Sequence, residues 1–282
     1  MAENILKQVK LITKTYDILP SRSKGQNFLV DREVLSEIVE AAQLKQSDTV
    51  LEVGPGLGIL TEELIRQAGK VVSVELDKKL YNFLQTKFSG VKNLKLINED
   101  ILKFNPQNFK LSDLNYKIVA NIPYNITSHF LKKFLTAETK PSDMTLLIQK
   151  EVAQRVCAQP GQMSLLSISV QLYSQPKIME FVSKKSFWPS PEVDSAVLKL
   201  SSIKSSDEVD NFLQGISEKS FWQLVKIGFS AKRKQLQNNL SAGLKIPSAE
   251  VKKILKQANF NPQVRAQNLS LTDWIKLAKK IK

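Results

Sequence analysis

Three glycines and two acids stand at the ends of successive apolar runs, and each is of a type that can handle an adenosine. Gly54, Gly56 and Gly58 lie in Leu51-Glu-Val-Gly-Pro-Gly-Leu-Gly-Ile59, directly after the first such run. Without a Cβ, these positions let the backbone turn tightly and let a ligand approach it closely. The spacing is G-x-G-x-G, not the G-x-G-x-x-G of dinucleotide-binding turns. Glu75 ends the next run, 17 residues after Gly58, where a carboxylate can accept both hydroxyls of a ribose. Asp100, in Asn98-Glu-Asp-Ile101, ends the third run, where an acid can accept from an adenine amine. Singly, each reads equally as a structural turn or a solvated strand-end charge. Together they converge on one crevice, because ligands bind outside the carboxyl ends of parallel strands. The set fits an adenosine-containing cofactor without a pyrophosphate, and S-adenosylmethionine is the best candidate.

Asn121-Ile-Pro-Tyr124 ends a fourth run. An exocyclic adenine amine is a poor nucleophile because its lone pair is delocalised into the ring. An Asn side-chain oxygen and the carbonyl preceding Pro123 can both accept the amine's hydrogens. That draws the nitrogen toward tetrahedral geometry and aims its lone pair at an electrophilic methyl. Tyr124 can stack on an unpaired base. No titrating base is required, which suits a chain with the single histidine His129. A rigid proline turn is the plainer reading of this stretch taken alone.

The elements that must position these residues follow from pattern. Thr49–Val53, Val71–Val74, Leu94–Ile97, Tyr116–Ala120 and Thr145–Ile148 read as strands. Helices are expected at Ile59–Gln67, Lys78–Phe88, about Ser128–Leu135 and near Glu151–Cys157. This alternation predicts a mostly parallel sheet covered on both faces. Ser167–Leu172 and Val193–Leu200 are read as later strands, the second alternating as an antiparallel edge would. Ser201–Ser206 is a polar linker. Beyond it, helices are expected at Val209–Ser217, Ser220–Phe229, Lys232–Leu240, Ser248–Gln257 and Ser270–Lys280, with Ser248 and Ser270 as N-caps.

The chain has 282 residues, enough for one large domain or a main domain with a small one. Its one cysteine, Cys157, and its one histidine exclude a disulfide framework and Cys- or His-rich metal sites, and no metal is expected. No apolar run approaches the roughly 20 residues that span a bilayer. Lys7 and Lys10 interrupt the N-terminal apolar residues, so no signal peptide is read and a cytoplasmic location without membrane attachment is expected. The net charge is +14, and residues 201–282 carry 15 Lys/Arg against 6 Asp/Glu. An excess of this size points to a polyanionic partner, nucleic acid before membrane, with a solvated basic surface as the bland alternative.

At this point the chain resembles the ribosomal RNA adenine N6-dimethyltransferases of the KsgA/RsmA type. The likeness runs from about Ser23 to Leu277. Besides the stretches above, it is carried by Gly25-Gln-Asn-Phe-Leu-Val-Asp31, Val74-Glu-Leu-Asp77, Gln149-Lys-Glu-Val-Ala-Gln-Arg155, Phe187-Trp-Pro-Ser-Pro-Glu-Val-Asp-Ser-Ala-Val197 and Phe229-Ser-Ala-Lys-Arg-Lys-Gln-Leu-Gln-Asn-Asn-Leu240. The chain departs from the pattern at Glu192, in Val182–Lys185, at Gln162-Met-Ser164 and at Gln267.

The resemblance implies an α/β, Rossmann-like class I S-adenosylmethionine-dependent methyltransferase domain over residues 1–200. It implies a small basic α-helical RNA-binding domain over 201–282. Asn27 and Leu29 would contact the methionine end of S-adenosylmethionine, with Gln26 beside them. Gly54, with Gly56 and Gly58, would underlie it. Glu75 would bind the ribose, and Asp100 with Ile101 the adenine. Asn121, Pro123 and Tyr124 would hold the target base, with Phe187 stacked on its other face. Arg22, Lys24, Lys232, Arg233 and Lys234 would grip RNA phosphates.

The implied activity is N6,N6-dimethylation of two adjacent adenosines in the 3′-terminal hairpin loop of 16S small-subunit ribosomal RNA, within the 30S subunit, by a monomer. Three alternatives stand beside it. One is a 23S large-subunit dimethylase of the macrolide-resistance kind, against which the basic C-terminal helices speak. The second is a ribosome-assembly factor whose methylation is secondary. The third, a DNA adenine methyltransferase, shares only the Asn-x-Pro-Tyr logic.

Overall fold

The computed structural model describes residues 5–21, 25–109, 111 and 116–281. The chain divides into two compact units, Met1–Ala153 with Gln175–Ile203, and Gln154–Ser174 with Lys204–Lys282.

The first unit is built on a seven-stranded sheet. Its helices are α1 (Ile5–Thr15), α2 (Arg32–Ala42), α3 (Ile59–Gln67), α4 (Lys78–Lys87) and α5 (Thr127–Leu135), and α6 (Lys150–Val156) opens directly after a strand, with its residues from Gln154 on counted in the second unit. Its strands are β1 (Phe28–Leu29), β2 (Thr49–Val53), β3 (Lys70–Glu75), β4 (Leu94–Asn98), β5 (Tyr116–Asn121), β6 (Asp143–Gln149), β7 (Gln175–Val182), β8 (Phe187–Trp188) and β9 (Ser195–Ser201). The sheet runs β4-β3-β2-β5-β6-β9-β7, and β1 pairs with β8 in a separate two-stranded ribbon. The strands β2 to β6 are mutually parallel, while β9 is antiparallel to β6 and β7 to β9.

Helices cover both faces, so β2 is buried at all five positions and reads as a continuous run rather than an alternation. On one face α2 and α3 bring Ile38, Val39 and Leu64 against Val50, Val71, Val119 and Leu147. A second core joins Ile5 and Val9 of α1 to Leu80, Phe83 and Leu84 of α4.

Two strand expectations are corrected. Ser167–Leu172 is not a strand but the body of α7 (Leu165–Tyr173), because Ser164 and Ser167 form a capping box at its start. A short apolar run that is buried on several sides carries no period to separate helix from strand. The strand read at Val193–Leu200 is β9, and it is internal rather than an edge. The edge is β7, whose mostly solvent-facing side chains give no apolar pattern, and which carries Pro176 where an edge tolerates it.

The second unit holds α7 together with α8 (Ser206–Leu213), α9 (Glu218–Gly228), α10 (Leu236–Leu244), α11 (Ser248–Gln257) and α12 (Leu271–Ala278). It thus takes in 154–174, which the division at residue 200 had assigned to the first domain. Hydrogen bonds explain the grouping. The Gly161 and Met163 amides donate to the Gln267 carbonyl at 2.8 and 3.1 Å, and Gln267 Nε2 returns a bond to the Gly161 carbonyl. Two stretches that depart from the family pattern therefore hold each other. Trp222 Nε1 and the Tyr173 hydroxyl both donate to Glu218.

The helix expected over Lys232–Leu240 begins only at Leu236. Asn239, buried, donates to the carbonyls of Gly228 and Ala231, and the Lys234 amide donates to Ala231. These bonds fold 229–234 into a turn, so Lys232, Arg233 and Lys234 stand exposed on it rather than along a helix. The N-cap of α11 is Pro247, which makes no side-chain capping bond, and Ser248 is its first helical residue. Ser270 does cap α12, in a box with Asp273.

Candidate cofactor and base-binding site

Register brings the motifs to one level. Val53 of β2 pairs with Val74 of β3 and with Ala120 of β5. Gly54, Glu75 and Asn121 are therefore the next residues on three adjacent strands. Asn98 of β4 pairs with Glu75, and Glu99 and Asp100 follow it. The chain runs outward from β2 through β3 to β4, then returns to the other side of β2 as β5. Ligands bind where strand order reverses in this way.

A cavity of about 320 Å³ opens at that point. Of the residues expected there, it is lined by Gln26, Asn27 and Leu29, by Gly54, Gly56 and Glu75, by Asp100 and Ile101, and by Asn121, Pro123 and Tyr124. The glycine turn has φ of +64° at Gly54, +58° at Gly56 and +75° at Gly58, values that L side chains rarely adopt. Gly58 is a packing residue rather than a wall, since a Cβ there would lie 2.6 Å from the Phe88 ring.

Glu75 closes this turn. Its Oε2 accepts the Gly56 amide at 3.2 Å and its Oε1 the Asp77 amide at 2.8 Å. Each oxygen keeps a lone pair for a further donor. Burial pushes the carboxyl up to about 7 against the pull of these amides. Asp100 accepts the Leu102 amide at 2.9 Å.

Asn121 is anchored by its Nδ2, which donates to the Asn27 carbonyl at 3.3 Å. The amide oxygen is left as acceptor, and Ile122, the next residue, lines the same cavity. Gly25, at φ +63°, lies against Pro123 and brings the Asn27 segment over this strand end. The Tyr124 hydroxyl shares a 2.7 Å hydrogen bond with Ser195 Oγ, and burial raises its pKa, keeping it a neutral phenol near neutral pH.

Phe187 is not brought to the cavity. It is 4% exposed, pairs with Leu29 across β1 and β8, and packs with Val182 in the core. Its ring is packed in the core rather than among the residues lining the cavity. Arg22 and Lys24 lie outside the described residues. Lys232, Arg233 and Lys234 belong to the second unit.

Sequence reasoning missed Glu52, fully buried in β2 and part of the cavity's inner wall. A lone acid inside Thr49-Val-Leu-Glu-Val53 was the available signal. It also missed Ser195 as the anchor of Tyr124, which pairing of β9 with β6 alone reveals.

The wall chemistry suits S-adenosylmethionine. Glu75 offers acceptors that suit a dihydroxy group, Phe28, Leu57 and Leu76 offer apolar surface that suits a purine, and no Lys or Arg is among the described lining residues to meet a pyrophosphate.

Comparisons agree with this reading. The family model described as "Ribosomal RNA adenine dimethylase" matches residues 21–282. The chain is 43% identical over 276 residues to "Ribosomal RNA small subunit methyltransferase A" of Dehalococcoides mccartyi, covering 98% of this chain and 93% of that one. Among solved structures it is similar to a dimethyladenosine transferase from Plasmodium falciparum, at TM-score 0.73 and 29% identity over 89% of this chain and 95% of that one. It is likewise similar to the 23S rRNA methyltransferase ErmE, at TM-score 0.72 and 28% identity over 90% of this chain and 99% of that one. The chain belongs to the ribosomal RNA adenine dimethylase family.

Proposed function

We propose that this protein uses S-adenosylmethionine to dimethylate N6 of two adjacent adenosines in the 3′-terminal hairpin loop of 16S ribosomal RNA, acting on the 30S subunit as a cytoplasmic monomer. The observation that carries the reading is the shared level of Gly54, Glu75 and Asn121 on three adjacent strands, at the mouth of one cavity. The small-subunit target is favoured by the 43% identity to a small-subunit methyltransferase and by the basic helical unit. No helix among the described residues is long and apolar enough to cross a membrane.

When bound, the cofactor supplies an electrophilic methyl on a cationic sulfur. The chain's part is placement. Glu75 accepts the ribose hydroxyls, and Asp100 accepts from the adenine amine. Asn27 and Leu29, with Gln26 beside them, take the methionine end. The target base enters beside Tyr124, whose ring packs on its face and whose hydroxyl is held by Ser195. Asn121 Oδ1 and the Ile122 carbonyl accept the two N6 hydrogens and turn the lone pair outward. Each transfer leaves the thioether behind and releases one N6 proton to water, so after the first methyl one N6 hydrogen remains for the same acceptors and the same geometry serves the second transfer. Lys232, Arg233 and Lys234 hold RNA phosphates.

The test is complementation. Expressed in cells lacking adenosine dimethylation, the chain restores N6,N6-dimethyladenosine in the small-subunit hairpin, read by nucleoside mass spectrometry, and Asn121→Ala restores none. Full rescue of subunit assembly by the unmethylating variant would instead point to an assembly-factor role.

A further inference from the structure

The cavity is acidic in a strongly basic protein. Glu52, Glu75, Asp77, Glu99 and Asp100 line it, and no Lys, Arg or His does so among the described residues. Asp77, Glu99 and Asp100 are partly exposed and screened by water. Glu52 is different, being 0% exposed in the middle of β2.

Its hydrogen-bond partners are neutral hydroxyls, and the nearby Glu75 carboxyl adds a like charge. Thr61 Oγ1 lies 3.0 and 2.8 Å from the two carboxylate oxygens and donates to them, and Ser73 Oγ donates to Oε2 at 2.5 Å. Among the described residues, no cation comes within ion-pair distance of it. Lys87, the cation whose field reaches it, is engaged with Glu62 at 2.7 Å and with the Leu57 carbonyl. Two hydroxyl donors suit a carboxylate but leave its charge uncompensated, and a buried charge without a counter-ion is costly. Glu52 is one of the residues around the cavity, two residues, about 7 Å of strand, before Gly54, so its field reaches that space. A cation entering the cavity would offset the cost, and a neutral ligand of the same shape would not.

We propose that Glu52 sets the charge preference of the cofactor site, favouring an adenosyl ligand with a cationic sulfonium over its neutral thioether counterpart. The site is thereby weighted toward S-adenosylmethionine and against the demethylated product. This rests on the reading of the cavity as an adenosyl-cofactor site. Glu52 touches no reacting atom in this account and acts only through its field.

The experiment is a binding comparison by titration calorimetry at pH 8, without RNA. S-adenosylmethionine and S-adenosylhomocysteine are each titrated into wild type and Glu52→Gln. The two ligands share adenine, ribose and amino-acid groups and differ in the methyl and the positive charge on sulfur, so the change in their affinity ratio between wild type and variant reads the charge. Glu52→Gln should weaken the sulfonium ligand at least about fivefold, as expected for losing one unscreened charge, and leave the thioether within about twofold. Equal weakening of both ligands, or no change in either, overturns the proposal.

If Glu52→Gln fails to fold by circular dichroism, Ser73→Ala and Thr61→Val decide. Each keeps the carboxylate but removes a donor that stabilises its charge, so the same selective loss is expected and an unselective one is contrary. Wild type binding neither ligand would overturn the cofactor reading itself, an outcome distinct from wild type binding both without a variant-specific change.

Discussion

The Glu75 carboxylate closes the glycine turn by accepting the Gly56 amide at 3.2 Å while its other oxygen accepts Asp77. One side chain thus ties the ends of β2 and β3 together and still presents acceptors to the cavity. Replacing it with Ala removes both functions. Glu75→Ala should weaken S-adenosylmethionine by about tenfold or more, the scale of two charge-assisted hydrogen bonds, while Glu75→Gln keeps part of the affinity. Calorimetric titration reads both.

Tyr124 separates stacking from hydrogen bonding. Tyr124→Phe loses only the bond to Ser195, about 1 kcal/mol of positioning, so kcat/KM should fall less than about tenfold. Tyr124→Ala also loses the ring face, roughly 1–3 kcal/mol more. Steady-state methyl transfer on small subunits checks the order, and cofactor affinity should hold in both variants.

The basic turn in the second unit should act through salt. Replacing Lys232, Arg233 and Lys234 with Ala lowers RNA affinity. It also flattens the log–log dependence of affinity on salt by roughly 0.7–0.9 per lost phosphate contact. Filter binding across a salt series measures the slope. An unchanged slope would place the phosphate contacts elsewhere.

Burial lifts the Glu52 carboxyl to about 7 from an ordinary 4.5. The folded protein therefore binds this proton more tightly than the unfolded chain does. The resulting stability is fully present below the ordinary value and is lost as pH rises through about 7. Glu52→Gln does not titrate. Between about pH 5 and about pH 8, cofactor-free wild type should lose up to about 3 kcal/mol relative to Glu52→Gln, seen in denaturant melts.

Much of the site was legible because its residues announce themselves by type at strand ends. The ends of β2, β3 and β5 could be placed from apolar runs, and the level of Gly54, Glu75 and Asn121 follows once those strands are parallel neighbours. What stayed hidden depends on tertiary partners. The Ser164 cap turns an apolar run into α7, Asn239 bends the basic stretch into a turn, and β7 lacks an inward face to mark it. The burial of Phe187 was hidden too, because its motif shows the residue but not what packs around it. Glu52 escaped because nothing local says that its partners are two hydroxyls and no cation.

The account stands or falls on a transfer assay with purified parts. Small and large ribosomal subunits from cells lacking adenosine dimethylation are incubated separately with the protein and labelled S-adenosylmethionine, and the labelled nucleoside is mapped. The prediction is N6,N6-dimethyladenosine at two adjacent positions in the 3′-terminal hairpin of small-subunit RNA. Label confined to large-subunit RNA, or none in either particle from protein that binds the cofactor, would contradict it.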